Sequence, residues 1–204
     1  MNVVALLKTS IYLIAASLLY PVLVILVLMT LWVVLFAGRF AAEWLERLRL
    51  EKLPPEKLPE RIAGGDLTNL LPHRVISYVH RLKDVLAEKD PLTEIAVENL
   101  LQETTHEVWR GMDRLRILVR LAPGLGLVGT LIPMGTGLAA LGQGDMTRLS
   151  SDLVIAFTTT VVGLTIGMTA FFFYTVKRRW IEQDIKNIQL STELLTRDGK
   201  DGDS

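Results

Sequence analysis

The chain has 204 residues, of which 50% are hydrophobic, and its 22 basic and 22 acidic residues balance to a formal net charge of zero. The absence of cysteine excludes a disulfide framework and thiolate chemistry, and the neutral balance gives no reason to expect a nucleic-acid partner. No charged residue occurs in the runs 9–38, 121–144 and 153–176. Because about 20 apolar residues suffice to cross the hydrocarbon of a lipid bilayer, the sequence predicts an all-α membrane protein with three transmembrane helices.

The basic residues indicate how the chain is oriented in the membrane. All of them except Lys8 and Arg148 lie either within 39–120 or from Lys177 onward. Loops rich in Lys and Arg stay on the cytoplasmic side of a membrane. We therefore expect both basic blocks to be cytoplasmic, and the N-terminus and the connection at 145–152 to lie outside.

The first segment is predicted to be a retained membrane anchor. Residues 1–10 are interpreted as an interfacial lead-in on the outer face, and 11–38 as transmembrane helix 1. A cleaved signal peptide is the alternative, but the apolar stretch from Ile11 to Ala37 exceeds the usual core of about 7–15 residues and ends without a small-x-small cleavage site. Its Leu, Val and Ile content, with Pro21 as the one expected kink, is typical of a helix that faces lipid.

The cytoplasmic insert at 39–120 is predicted to be helical. The first helix should run on past the membrane until Pro54-Pro55 stop it. After Pro72, apolar residues recur at spacings of three and four, which indicates an amphipathic helix. These residues are Val75, Ile76, Val79, Leu82 and Leu86. Asp90-Pro91 is a second start signal, from which one helix should continue through Arg120 into the membrane. The predicted fold thus has three transmembrane helices, two of them extended into a helical cytoplasmic region.

Transmembrane helix 2, at 121–144, carries a face of small residues. At 100° per residue, this face collects Gly126, Thr130, Pro133 and Gly137, flanked by Ala122, Gly129 and Ala140. Small residues let membrane helices approach closely, and a Thr hydroxyl can bond its own backbone. The face is therefore interpreted as a close-packing surface, with a pore wall or a partner-facing wall as the alternative.

Transmembrane helix 3, at 153–176, has two stripes of small or hydroxylated residues on roughly opposite sides. One stripe holds Thr158, Thr165 and Thr169, and the other holds Ala156, Thr160, Gly163 and Gly167. Small residues on two faces indicate contact with helices on two sides, as expected for a subunit packed into a ring. In the segment 177–204, the helix should continue to about Leu195, and a charged disordered tail should follow.

Polar residues outside the spans give little support for catalysis or metal binding. The outer loop at 145–152 holds three charges, Asp145, Arg148 and Asp152. Asp152, at the mouth of transmembrane helix 3, could attract cations or cap the helix. The histidines are His73, His80 and His106. They lack a convergent set of Cys, Asp or Glu, so we expect no metal site. Without a phosphate loop, nucleophile elbow or HExxH motif, we also expect no enzyme activity and no cofactor.

The two glycine-rich helices carry ordered motifs. APGLGLVGT, from Ala122 to Thr130, resembles the APxLGLLGT signature in the second membrane helix of the MotA/TolQ/ExbB proton channel family. TTTVVGL, from Thr158 to Leu164, resembles the LxTxxGL signature in the third. The expected topology is similar to that of the ExbB and TolQ branch. The resemblance extends over about 122–180 by motif and over the remaining chain by layout.

The resemblance implies a subunit of a proton-driven motor in the cytoplasmic (inner) membrane of a bacterium or archaeon. Such subunits form a homopentamer around a central dimer of a single-span protein of the ExbD, TolR or MotB kind, which carries a membrane Asp. The family positions matched by Thr130 and Thr160 face the interior near that Asp, so the resemblance assigns both residues to the ion path. Ion flow then turns the ring relative to the dimer and powers work elsewhere in the envelope.

One departure from the family pattern affects the ion path. ExbB and TolQ carry a Glu where this chain has Ile155, and the nearest acid, Asp152, lies three residues further back. Because no carboxylate of this chain is expected within the hydrocarbon, the ion-carrying acid must come from the partner. Thr hydroxyls and backbone carbonyls suit protons and sodium ions alike, so a sodium-driven version stays open. A non-conducting membrane scaffold, in which the small stripes serve packing alone, stays open as well.

Overall fold

The computed structural model describes residues 3–49, 71–87 and 92–201. Over these ranges the chain forms α1 (Val3–Arg49), α2 (His73–Ala87), α3 (Thr93–Leu141) and α4 (Met146–Asp201), and no strand occurs within them. The predicted all-α class is therefore confirmed. The predicted stop at Pro54-Pro55 and start at Asp90-Pro91 lie outside the described residues, as do the last three residues of the tail.

Three of the helices, α1, α3 and α4, are long and apolar enough to cross a membrane, which confirms the predicted number of spans. They contain 47, 49 and 56 residues. At about 1.5 Å per residue, helices of this size greatly exceed the roughly 30 Å thickness of bilayer hydrocarbon. All three thus extend beyond a bilayer, where the sequence predicted two extended spans. Pro21 in α1 and Pro123 and Pro133 in α3 lie inside continuous helices.

Two helix boundaries differ from the predicted segments. α1 already begins at Val3, so the described part of the predicted lead-in belongs to the same helix as the first span. α4 ends at Asp201, beyond the predicted end near Leu195. Residues 3–10 contain neither proline nor glycine, so nothing in their sequence interrupts the helix before the first span.

The connection between α3 and α4 is shorter than the predicted loop at 145–152. Residues from Met146 onward form the first turns of α4. Gly144 adopts a φ of +78°, a left-handed conformation that suits a residue without a Cβ atom. Asp145 then caps α4, since its Oδ1 accepts a hydrogen bond of 3.0 Å from the backbone N–H of Arg148. A tight glycine turn followed by an Asp cap explains why no longer loop is needed.

The chain divides into two compact units. The first, called the span unit, contains the residues up to Gly38 together with Arg114–Tyr174. Many of its large apolar side chains are exposed, among them Leu28, Leu35, Leu131, Phe157 and Val161. Such a surface is expected of helices that face lipid or other membrane helices. Phe36 of α1 contacts Phe173 of α4 within this unit, with ring centroids 5.7 Å apart.

The second unit, called the polar unit, contains Arg39–Asp113 and the residues from Thr175 onward. Its core consists of Leu71, Val75, Tyr78, Val79, Leu82, Val97, Leu100 and Ile188. Val75, Val79 and Leu82 are each at most 1% exposed, and Ile76 and Leu86 pack against the same core. The amphipathic pattern predicted for α2 is therefore confirmed. This core gives the extensions of the long helices a packed hydrophobic centre of their own.

Candidate functional site

The candidate site begins with the seam where α3 packs on α4 inside the span unit. Its α3 side consists of Ala122, Gly126, Gly129, Pro133, Gly137 and Ala140, all buried. Its α4 side consists of Ala156, Thr159, Gly163, Gly167 and Ala170, also buried. Within the predicted small face of α3, α4 of the same chain contacts Gly126, Gly129 and Gly137. Much of that face therefore packs against a helix of the same chain, so less of it is available to line a pore or to face a partner.

The backbones of the two helices approach most closely at the middle of this seam. A Cβ atom added to Gly163 would lie 2.7 Å from the Cα atom of Gly126 and 2.8 Å from the carbonyl oxygen of Ala122. One added to Gly167 would lie 2.7 Å from Cγ of Pro123. Because real Cβ contacts are not this short, both positions require glycine at the observed helix separation.

Thr159 occupies the seam beside these glycines. Its side chain is 3% exposed, and a Cβ atom on Gly129 would lie 2.8 Å from its Cβ atom. The Thr159 hydroxyl donates a hydrogen bond of 2.9 Å to the carbonyl oxygen of Ala156. The sequence reasoning placed Thr160 in this row and missed Thr159. The spacing of Ala156, Thr159 and Gly163 at three and four residues would have indicated it.

The two threonines predicted to face the ion path lie next to the seam. Thr130 and Thr160 are the chain neighbours of Gly129 and Thr159, which contact each other, and both are half-buried. The hydroxyl of Thr130 donates a hydrogen bond of 2.6 Å to the carbonyl oxygen of Leu127. That of Thr160 donates one of 3.4 Å to the carbonyl oxygen of Ala156. The Thr130 hydroxyl is thus firmly bonded to its own helix and the Thr160 hydroxyl only weakly. Both oxygen atoms keep acceptor lone pairs for another group.

The second predicted stripe of α4 lies outside the seam. Thr158 and Thr165 are exposed and Thr169 is half-buried. The hydroxyl of Thr158 donates a hydrogen bond of 2.8 Å to the carbonyl oxygen of Val154. The structure thus separates the two stripes, since one faces α3 and the other leaves hydroxyls on the surface of the span unit.

Near the α3–α4 connection, the carboxyl group of Asp152 meets the hydroxyl of Thr136. The two oxygen atoms are 2.7 Å apart, and both residues are half-buried. Sequence reasoning missed Thr136, because nothing in its own helix distinguishes it from the other threonines. The predicted alternative role of Asp152 as the cap of α4 is wrong, because Asp145 holds the cap position and Asp152 lies in a later turn.

A buried ion pair joins α1 and α4 in the polar unit. Arg47 donates hydrogen bonds of 3.1 and 2.6 Å to the two oxygen atoms of Asp184, whose side chain is 1% exposed. The Arg47 guanidinium also lies 4.9 Å from the ring centre of Trp180, which stacks on Phe40 at 5.1 Å. Burial raises the pKa of Asp184, and the hydrogen bonds and charge of Arg47 lower it by less.

The described residues contain no group of three or more His, Asp or Glu side chains that could hold a metal ion. His73, His80 and His106 are all exposed. The polar groups along the α3–α4 seam are threonine hydroxyls, backbone carbonyls and the carboxyl group of Asp152.

A model of the MotA/TolQ/ExbB proton channel family matches residues 74–190, which is more than half of the chain and includes α3 and most of α4. The chain belongs to the MotA/TolQ/ExbB proton channel family. This membership confirms the resemblance found in the motifs, and with the three apolar helices it makes the chain a multi-pass membrane protein.

A similar protein is described as a homologue of the biopolymer transport protein ExbB, from Methanothermobacter thermautotrophicus. The relative and this chain are 30% identical over 102 residues, which are 50% of this chain and 37% of the relative. The match thus covers well under two thirds of the relative's length. No solved structure matches the chain. The family is associated with channels and transport, and it is not a family of enzymes.

Proposed function

We propose that this chain is a ring-forming subunit of a proton-driven motor of the ExbB/TolQ type in the cytoplasmic membrane of a bacterium or archaeon. Its N-terminus lies outside and its C-terminus in the cytoplasm, in agreement with the basic residues within 39–120 and from Lys177 onward. Five copies surround a dimer of a single-span partner that carries a membrane Asp, and ion flow is coupled to mechanical work through that partner.

The observation that carries the proposal is the exposure of Thr158 and Thr165 on a span without charged residues. A hydroxylated face has no use against lipid tails, and the chain's own α3 covers a different face of α4. Interhelical contacts in membranes are enriched in such small and hydroxylated residues. A neighbouring copy or the central partner supplies this contact in the proposed ring.

The hydrogen bonds of Thr130 and Thr160 support their proposed role beside the ion path. The Thr130 hydroxyl donates its hydrogen bond to its own helix, and the Thr160 hydroxyl lies at the outer limit of such a bond. The oxygen atom of each is available as an acceptor. A protonated carboxyl group of the partner can donate a hydrogen bond to such an oxygen, whereas an ionised one cannot. The two threonines would thus favour the protonated form of the partner's Asp while it passes. In this way a residue that does not itself titrate takes part in proton coupling.

The test is a flux assay on the complex purified from its native membrane through an affinity tag on this chain. The complex is reconstituted into liposomes that contain a pH-sensitive dye, and a potassium diffusion potential drives uptake. We expect acidification that needs the single-span partner and persists without sodium, together with five copies of this chain in the mass of the intact complex.

Two alternatives have distinct outcomes in the same assay. A sodium-driven motor takes up sodium ions, and in sodium-free buffer the dye reports no acidification. A non-conducting scaffold gives no flux with or without its partner, although the complex stays assembled. Either result overturns the proton-driven function, and a copy number other than five overturns the pentamer.

A further inference from the structure

The carboxyl group of Asp152 is held at the end of the α3–α4 seam by a side chain from the other helix. Thr136 Oγ1 lies 2.7 Å from Asp152 Oδ2 and 3.1 Å from the carbonyl oxygen of Pro133. The first distance is typical of a hydroxyl that donates to a carboxylate. The bond joins residues of two helices, so it positions the acid relative to both.

The seam itself brings these groups together. At Gly137, the residue after Thr136, an added Cβ atom would lie 3.3 Å from Cβ of Asp152 and 3.2 Å from Cδ1 of Leu149. The absence of a side chain at Gly137 lets the first turns of α4 approach α3. Asp152 is therefore fixed between the helices, unlike Asp145, which is exposed in the connection.

The charge of Asp152 has no basic partner in the described part of the chain. The apolar run of α3 holds no charged residue at all, and the charged neighbours on the α4 side are Asp145 and Arg148. The one hydrogen-bond partner that the structure gives this half-buried carboxyl group is the neutral hydroxyl of Thr136, so no opposite charge neutralises it there.

The position of Asp152 along α4 connects it with the ion path. Ala156, Thr159 and Gly163 follow it at spacings of four, seven and eleven residues, so all four share the face that packs on α3. Thr160 lies about 12 Å further along the helix axis. The carboxyl group of Asp152 thus lies at the outer end of a row of α4 residues that leads toward the proposed ion path.

We propose that Asp152 is the entry acid of this subunit, which takes a proton from water at the outer end of the seam and passes it on toward the partner's carboxyl group. The inference rests on the proposed function. In the first step an O–H bond forms on the Asp152 carboxylate as a hydronium ion becomes water. In the second that bond breaks as the proton passes to a water molecule, and the hydronium ion formed then protonates the partner's carboxylate. Thr136 is a positioning residue that holds the ionised form by its hydrogen bond.

The test uses the reconstituted native complex and measures the initial rate of proton uptake. Asp152→Asn removes the titratable group at constant size, and we expect at least a tenfold loss of rate. Asp152→Glu keeps the acid and should retain much of the rate. Thr136→Val removes the hydroxyl at constant shape and should lower the rate severalfold, whereas Thr136→Ser should restore it. The matched control is Asp145→Asn, which removes a nearby acid while keeping a good cap residue.

Several results would overturn the inference. Wild-type flux in Asp152→Asn, equal losses in Asp152→Asn and Asp152→Glu, or an equal loss in the Asp145→Asn control each exclude an entry acid at Asp152. If Asp152→Asn fails to assemble, the Thr136→Val and Thr136→Ser pair decides, and equal rates in that pair exclude the positioning role. A wild-type complex that conducts no protons overturns the proposed function itself, so the two failures are distinguishable.

Discussion

Gly163 and Gly126 bring the backbones of α4 and α3 into direct contact. A Cβ atom on Gly163 would lie 2.7 Å from the Cα atom of Gly126, and the atom it would meet belongs to the backbone and cannot rotate away. Without a strong hydrophobic driving force between helices in lipid, such close packing is a main source of their association. The Gly163–Gly126 contact therefore sets the helix separation on which the neighbouring Thr130 and Thr160 depend.

Replacing Gly163 by Ala should separate the two helices. We expect Gly163→Ala to lower the apparent unfolding temperature of the purified protein and to reduce complex assembly. The matched control is Gly124→Ala on α3, where an added Cβ atom meets nothing within 4 Å, and which should leave both properties unchanged or raise the unfolding temperature, because Ala favours helix. Equal behaviour of the two variants would show that the seam does not hold the helices together.

The contact between Gly129 and Thr159 offers a test by exchange. An Ala at position 129 should destabilise the protein, because its Cβ atom would lie 2.8 Å from Cβ of Thr159. The double variant Gly129→Ala/Thr159→Gly removes the obstructing side chain and should recover most of the loss, as measured by unfolding temperature. Simple additivity of the two single changes would contradict a direct contact.

The Arg47–Asp184 pair should be costly to break from one side. Arg47→Leu leaves Asp184 buried without a counter-ion, for which losses of about 3–5 kcal/mol are typical. The double variant Arg47→Leu/Asp184→Leu leaves no buried charge and should be more stable than Arg47→Leu alone. The unfolding temperatures of the four proteins, including the wild type, give the comparison. If the double variant is no more stable than Arg47→Leu, an unpaired buried charge at Asp184 is not the cause of the loss.

The same pair predicts a dependence on pH. Because burial raises the pKa of Asp184 above its value in the unfolded chain, the folded state favours the protonated carboxyl group. The stability that this preference contributes is fully present below the unfolded pKa and is lost as pH rises through the folded pKa. In Arg47→Leu the hydrogen bonds and charge of Arg47 no longer oppose the rise of the Asp184 pKa, and only the charge of Arg74 still does. The deficit of this variant against the wild type should therefore shrink as pH falls. Unfolding temperatures of both proteins measured over a pH series check this prediction. A difference between wild type and Arg47→Leu that grows as pH falls would contradict it.

The elements that the sequence predicted well are those whose signal is local. Three uncharged runs predicted the spans, and the periodicity around Val75 and Leu82 predicted the core of α2. Each follows from a property of one segment alone, namely its length, its charge or its repeat. Gly126 and Gly163 could likewise be recognised as packing positions from their small size.

The contacts that were missed join distant parts of the chain. Thr159 against Gly129, Thr136 on Asp152 and Arg47 on Asp184 each depend on the register between two helices. That register is set by how whole faces interlock, and the pattern of one helix does not contain it. A rotation by one residue exchanges Thr159 for Thr160 in the seam, which is the error that the sequence reasoning made.

The proposed role of Thr130 and Thr160 beside the ion path can be measured by isosteric replacement in the reconstituted complex. Thr130→Val and Thr160→Val keep the shape of each side chain and remove its hydroxyl oxygen, and Thr130→Ser and Thr160→Ser restore that oxygen. We predict that proton uptake is abolished in both valine variants, is recovered in the serine variants, and that assembly is unchanged in all four. Wild-type proton flux through assembled complexes of either valine variant would exclude a role of that hydroxyl in the ion path.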